Sequence, residues 1–277
     1  MLLFGLAAIL ILFTVLWVVS LRLENSSVAD VAWGPAILVI GLTYYFTSDG
    51  GGSIRAYVTL ALLALWAARL SVHLGMRTRL QGEDFRYVKW RDDYDPWWLV
   101  SYFKVFLFQA VAAWLVSLPI YFAVVSPAPA SLTLTDYFGI LLVVCGLAIE
   151  TLGDEQLRRF RANRANRGKV LDTGLWQYTR HPNYFGEAVL WWGFGLISLA
   201  TGGVPGLVGS AILTYLLIYV SGIRLLEATL IEKPGYIQYV GRTPGLVPLP
   251  PQVRIQVMAK LRELQKKREP VRPKRRY

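Results

Sequence analysis

Seven stretches of this chain are apolar over roughly the 20 residues that a helix needs to cross a hydrocarbon core. They lie at about 2–21, 28–47, 56–75, 99–125, 136–153, 186–202 and 205–223. A helix satisfies its own backbone hydrogen bonds in lipid, so the pattern predicts an all-α, polytopic membrane protein with seven transmembrane helices. Composition agrees: 55% of the residues are hydrophobic, 17% are charged, and mean hydropathy is +0.42, against a usual charged share of about a quarter.

The first stretch, MLLFGLAAILILFTVLWVVSL, lacks a basic leader and an Ala-x-Ala cleavage site, and reads as a retained helix and not a signal peptide. Lys and Arg set the orientation. Residues 48–54, 126–135 and 203–204 carry none, whereas 76–98 carry five, 154–185 seven and 224–277 thirteen. By the positive-inside rule the N-terminus lies outside and the C-terminus in the cytoplasm. The net charge of +11 then describes one face of the membrane. Anionic membrane lipid is its default partner, with no nucleic acid and no obligate protein partner inferred.

Residues 1–251 read as one membrane-embedded catalytic domain. In the tail, 252–277, Val257, Met258, Leu261 and Leu264 recur at helical spacing before a basic, Pro-containing end. That pattern predicts an amphipathic surface helix followed by disorder. The repeat RANRANR at 161–167 is too short for a solenoid. Cys145, inside GILLVVCGL, reads as a packing residue. With two histidines and one cysteine in the chain no zinc site is expected, and no metal is assigned.

Ionisable groups in apolar spans are costly and are functional hypotheses by default. Asp30 opens the second stretch, Arg69 and His73 close the third, Glu150 closes the fifth, Glu187 opens the sixth, and Arg224 and Glu227 close the seventh. On the expected topology all of these and Lys104 lie toward the cytoplasm, with Arg55 alone near the outer end. A transporter needs polar stations through the whole thickness. The asymmetry instead suits an enzyme that takes a water-soluble cofactor from the cytoplasm and a lipophilic substrate from the bilayer. Snorkelling anchors and interhelical ion pairs are the plainer alternative for any one of these groups.

The run TRHPNYFGE at 179–187 places Pro182 where a first helical turn tolerates it, with His181 or Asn183 available to the exposed backbone donors. Asn183 and Glu187, four apart, share a face. The free N–H groups of the helix start favour an anion or a carbonyl oxygen. Upstream, DEQLRRFRANRANRGK extends the fifth helix, with Asp154, Arg158 and Arg161 on one face. Arg158, Arg159, Arg161, Arg164, Arg167 and Lys169 fall within twelve positions. Arginine forks suit phosphate, and a basic loop drawn to anionic lipid is the equal alternative. After the seventh stretch, Tyr236, Tyr239 and Arg242 in RLLEATLIEKPGYIQYVGRTPGLVPLPP read either as a lid over the same mouth or as an interfacial aromatic belt.

GLWQYTRHPNYFGE, the basic stretch before it and the LLE…Y…Y…P…P ending resemble the membrane-bound steroid 5-alpha-reductase family, including its bacterial members, from about residue 28 to 250. The resemblance implies seven transmembrane helices, an NADPH site facing the cytoplasm, and hydride transfer to the beta carbon of a steroid-like enone from the bilayer. It implies a bacterial inner membrane as the location. It also implies that Asn183 and Glu187 hold the cofactor, as do Asp154, Arg158 and Arg161. Asn166, Lys169, Tyr178, Arg180, His181, Tyr184, Tyr236, Tyr239 and Arg242 are further cofactor candidates. The RHPxYxG core is shared with isoprenylcysteine carboxyl methyltransferases, which use S-adenosylmethionine. The long Arg-rich approach favours a triphosphorylated anion over a sulfonium cation. A non-catalytic lipid-binding protein is the third reading.

On the substrate side the family shows a Gln-Glu pair and a Tyr that polarise the ketone. This chain has Ala29-Asp30 in the first place and, by an ungapped match, Trp66 in the second. The expectation is that Asp30, with a pKa raised by burial, donates to the substrate carbonyl, assisted by Trp33 or His73.

Overall fold

The computed structural model describes residues 1–48, 52–220 and 222–250, and among them every regular element is helical. The basic tail lies outside the described residues. In chain order the helices are α1 (Leu2–Leu23), α2 (Val28–Thr47), α3 (Ile54–Gln81), α4 (Phe85–Asp93), α5 (Trp97–Ser101), α6 (Phe108–Val116), α7 (Leu118–Val125), α8 (Leu134–Ala162), α9 (Pro182–Leu199), α10 (Gly206–Tyr215), α11 (Ile223–Leu230) and α12 (Tyr236–Arg242). Local chemistry starts several of them: the Ser53 hydroxyl accepts from Ala56 N ahead of α3, and the Asp84 carboxylate from Arg86 N ahead of α4.

Among the described residues six helical runs are long and apolar enough to cross a membrane: Leu2–Leu23, Val28–Thr47, Ile54–Gln81, Trp97–Val116, Leu134–Ala162 and Gly206–Leu230. The protein is a multi-pass membrane protein. The expected sixth stretch does form a helix, α9, of 18 residues, about 27 Å long at 1.5 Å per residue. Its opening turns carry PNYFGE, which keeps it out of the apolar class. The expected span 99–125 divides at Ser117, whose hydroxyl donates to Trp114 O at 2.7 Å, with Pro119 in the first turn of α7. The seventh stretch runs on to Leu230 and is interrupted. A π-helical turn occupies Leu216–Val220, and α11 starts beyond Gly222.

Contacts divide the chain into two compact units, Met1–Cys145 with Ala188–Tyr215, and Gly146–Glu187 with Leu216–Tyr277. In the first unit α2 and α3 approach closely, since a Cβ on Gly34 would lie 2.9 Å from Ala67 Cα. Arg55, expected near the outer end, is 1% exposed and pairs with fully buried Asp136 through Nε at 2.7 Å and Nη2 at 2.9 Å. Its Nη1 and Nη2 also donate to Pro129 O and Ser131 O. A buried ion pair held by such further hydrogen bonds is a clasp that fails if one partner is removed. In the second unit the C-terminal half of α8 meets the first turn of α9. A Cβ on Gly186 would lie 2.5 Å from Glu150 N and 2.7 Å from Gly146 O, and one on Gly153 would lie 3.1 Å from Asn183 N.

Candidate functional site

Close packing of α8 on the start of α9 brings the TRHPNYFGE run against the basic stretch that follows α8. Phe185 N donates to His181 O at 3.0 Å, so α9 starts at Pro182 as the sequence predicts. The side chain serving that start is Thr179, whose Oγ1 accepts from His181 N at 3.3 Å. Asn183 turns toward α8, with Nδ2 donating to Asp154 Oδ1 at 3.0 Å. Asn166 Nδ2 donates to Phe160 O at 3.0 Å and closes the end of α8. The Trp176 indole donates to Gly153 O at 3.1 Å.

These elements, with α11 and α12, enclose a cavity of about 590 Å³, within the range usual for small-molecule sites. Arg161, Arg164, Arg167 and Lys233 all line it, and among the described residues of its wall there is no carboxylate. Burial, together with the Arg161 charge, pushes the Lys233 ammonium below its ordinary pKa. Two buried polar atoms in the wall have no hydrogen-bond partner: Asn183 Oδ1 and Tyr236 Oη. Burial and the Glu227 charge push the Tyr236 hydroxyl up to about 12, with the nearby Arg180 charge working against them.

Of the expected cofactor residues, Arg161, Asn166, Arg180, His181, Asn183, Tyr184, Tyr236 and Tyr239 line the cavity, whereas Asp154, Arg158, Lys169, Tyr178, Glu187 and Arg242 do not. Asp154 acts through Asn183. Arg158 is 60% exposed and, with Arg159, pairs with Glu155. Arg242 pairs with Asp172, and Glu187 is buried on α9. Arg164 and Arg167, named only within the basic cluster, and Lys233, not named, also line it. The density of basic residues signalled the first two, while which of six cations faced inward depended on the turn after α8.

The segment after α11 is strapped to the TRHP run. Arg180 N donates to Pro244 O and Leu249 N to Tyr178 O. Thr179 Oγ1 lies 2.9 Å from Gly245 O and 2.8 Å from Leu246 O, and Tyr239 Oη donates to Trp176 O. The Arg180 guanidinium grips Glu227 with Nε at 2.6 Å and Nη2 at 3.0 Å, and His181 Nε2 lies 3.0 Å from the same carboxylate. His181 stacks on Tyr184 with ring centroids 5.5 Å apart. Burial pushes its imidazole below the ordinary pKa, which the contact with Glu227 offsets only in part.

The expected catalytic group, Asp30, Trp33, Trp66 and His73, belongs to the other unit. Asp30 accepts from Tyr87 Oη at 2.6 Å, Gln109 Nε2 at 2.9 Å and Arg86 Nη2 at 3.1 Å. Tyr87 and Gln109 were invisible to pattern reading because their link to Asp30 is tertiary. As placed, Asp30 is an acceptor three times over, and the hydrogen in its shortest contact comes from Tyr87. Trp66 is fully buried, with its ring centroid 6.2 Å from Trp33 and 5.2 Å from Trp191. Neither Trp66 Nε1 nor Trp191 Nε1 has an acceptor. His73 is half-buried on α3.

A protein of Schizosaccharomyces pombe described as uncharacterized is 27% identical over 216 residues, which cover 69% of this chain and 63% of that protein. The chain thus spans less than two thirds of the length of that relative. No solved structure matches. The family described as "Protein of unknown function (DUF1295)" matches residues 16–243, a window that takes in both the cationic cavity and the Asp30 cluster. The chain therefore belongs to this family, which is part of the steroid 5-alpha-reductase-like group.

Proposed function

We propose that the protein is an NADPH-dependent oxidoreductase that reduces the carbon-carbon double bond of a lipophilic enone, of the 3-oxo-delta-4 steroid type, drawn from the bilayer. In this reading α9 is a seventh span, the N-terminus lies outside, and the cavity opens to the cytoplasm of a bacterial inner membrane. The observation that carries it is the composition of the cavity wall, in which Arg161, Arg164, Arg167 and Lys233 stand and no carboxylate appears among the described lining residues. Such a wall favours a ligand with several negative charges, as three phosphates supply, and disfavours the sulfonium cation of S-adenosylmethionine.

The unpaired wall atoms fit the rest of that ligand. Asn183 Oδ1 is an acceptor suited to a carboxamide N–H, and Tyr236 Oη offers a hydroxyl in the same wall. NADPH, when bound, supplies the hydride for the beta carbon. The chain's own residues hold the phosphates with the four cations and orient the carboxamide with Asn183. In the other unit Trp66 Nε1 and Trp191 Nε1 are buried donors with no acceptor.

Thermal stability of the detergent-purified protein with NADPH, NADH and S-adenosylmethionine in parallel tests the reading, since a ligand at a hundred times its Kd adds about 2.7 kcal/mol. A shift with NADPH that is lost in Asn183→Ala, followed by NADPH oxidation with a steroid enone, is the expected result. A shift with S-adenosylmethionine alone would make the protein a methyltransferase. No shift with any of the three would leave a non-catalytic lipid-binding protein.

A further inference from the structure

The arginine of the RHP run has almost no donor left for a ligand. Arg180 Nε and Nη2 hold the two oxygens of Glu227, and Nη1 donates to Thr243 O at 2.5 Å and Val240 O at 3.4 Å. A guanidinium has five N–H bonds, so a single one, on Nη2, remains. Even that side is closely packed, since a Cβ on Gly245 would lie 3.3 Å from Nη2. Arg180 and His181 both line the cavity, while Glu227, which touches both, does not.

We propose that Glu227 is a positioning residue, a built-in counter-ion that withholds Arg180 from the anion in the cavity and fixes His181 with its proton on Nε2. A carboxylate only accepts, so the neutral imidazole nitrogen facing it must carry the hydrogen, leaving Nδ1 as a lone pair. The anion is then held by Arg161, Arg164, Arg167 and Lys233, and Arg180 serves the strap that closes over the TRHP run. The inference rests on the cavity being an anion site and not on the hydride chemistry assigned to it.

Calorimetric titration of the full-length protein in detergent with inorganic pyrophosphate, and separately with NADPH, tests this. Glu227→Gln frees the Arg180 fork and is expected to bind pyrophosphate about tenfold more tightly. The double variant Arg180→Gln/Glu227→Gln is expected to match the wild type. Unchanged or weaker pyrophosphate binding by Glu227→Gln overturns the proposal, because a mere tether predicts that. A tenfold loss in the double variant overturns it too, since Arg180 would then touch the anion in the wild type. Absence of pyrophosphate binding to the wild type removes the anion site and the proposal with it. If pyrophosphate responds as expected but NADPH does not bind, the reductase reading falls and this one stands. Should Glu227→Gln fail to fold, the double variant still decides, as does nitrogen-15 NMR of a chain with two histidines. Protonated Nε2 and bare Nδ1 on His181 are expected, and the opposite tautomer refutes the positioning role.

Discussion

Two arginines six residues apart show what a linear pattern cannot decide. Arg158 and Arg164 belong to one basic stretch, yet Arg158, in the last turns of α8, is drawn to Glu155 one turn back, at 2.6 Å, while Arg164, in the turn that follows, lines the cavity. The sequence made the cluster visible, but its inward face is set by the turn Arg164–Asn166, whose direction no periodicity reports. Arg164→Gln is therefore expected to weaken NADPH binding by about tenfold, the scale of one charge-assisted contact, and to lower its salt dependence. Arg158→Gln should leave both within twofold. Equal losses in the two titrations would mean that the ligand sits elsewhere. His181 carries a second prediction. Its folded pKa lies below the ordinary 6.5, so under acid conditions the unfolded chain takes up a proton that the folded chain refuses. Its contribution is present above pH 6.5 and is lost as pH falls from there through the folded pKa, with a slope of at most about 1.4 kcal/mol per pH unit. Thermal midpoints of wild type and His181→Asn between pH 8 and pH 5 check this: the variant should lose part of the acid slope, and parallel curves would show that His181 does not carry it.

Helix existence was legible because hydropathy over 20 residues is a long signal, and α1, α2 and α3 begin within two residues of the expected starts. The interruptions were not. Ser117 divides α6 from α7 with one hydroxyl on Trp114 O, and the π-helical turn Leu216–Val220 sits in an unbroken apolar run. Hydropathy is blind to both because neither changes the polarity of the segment. Close helix approach is similarly hidden, since a glycine in an apolar run reads the same whether or not another backbone lies against it. Gly186 and Gly241 separate the two cases. A methyl on Gly186 would meet Glu150 N and Gly146 O, at 2.5 and 2.7 Å, whereas one on Gly241 in α12 would meet nothing within 4 Å. Backbone atoms cannot step aside, so Gly186→Ala must push α8 from α9 and is expected to cost about 1–3 kcal/mol and to disturb Asn183 one turn away. Gly241→Ala should be neutral or stabilising, by up to about 1 kcal/mol from helix propensity. Heat denaturation of the two variants beside the wild type reads the difference, and equal destabilisation would mean that α8 and α9 are farther apart than the backbone distances state.

At the scale of the whole molecule the open quantity is the number of crossings, and it turns on α9. Six runs among the described residues pass on length and hydropathy; counting α9 as a seventh puts residues 126–133 and 200–205 on one side of the membrane, and 82–96 and 163–173 on the other. If α9 does not cross, 200–205 must share a side with 163–173. The distribution of Lys and Arg favours the first arrangement, since the basic residues gather in 76–98 and 154–185 and are missing from 126–135 and 203–204. The polar start of α9 is no obstacle to crossing, because Asn183 is bonded to Asp154 and Glu187 is buried against protein, so that neither is presented to lipid. Cysteine accessibility settles the count. With the single native thiol removed as Cys145→Ala, Ala130→Cys and Val204→Cys are expected to react with a membrane-impermeant maleimide on intact cells, while Asp93→Cys and Lys169→Cys react only after permeabilisation. All four positions are exposed. Labelling of residue 204 together with residue 169, and apart from residue 130, would make α9 a helix that enters the membrane without traversing it, and would carry α10 and α11 to an orientation opposite to the one proposed.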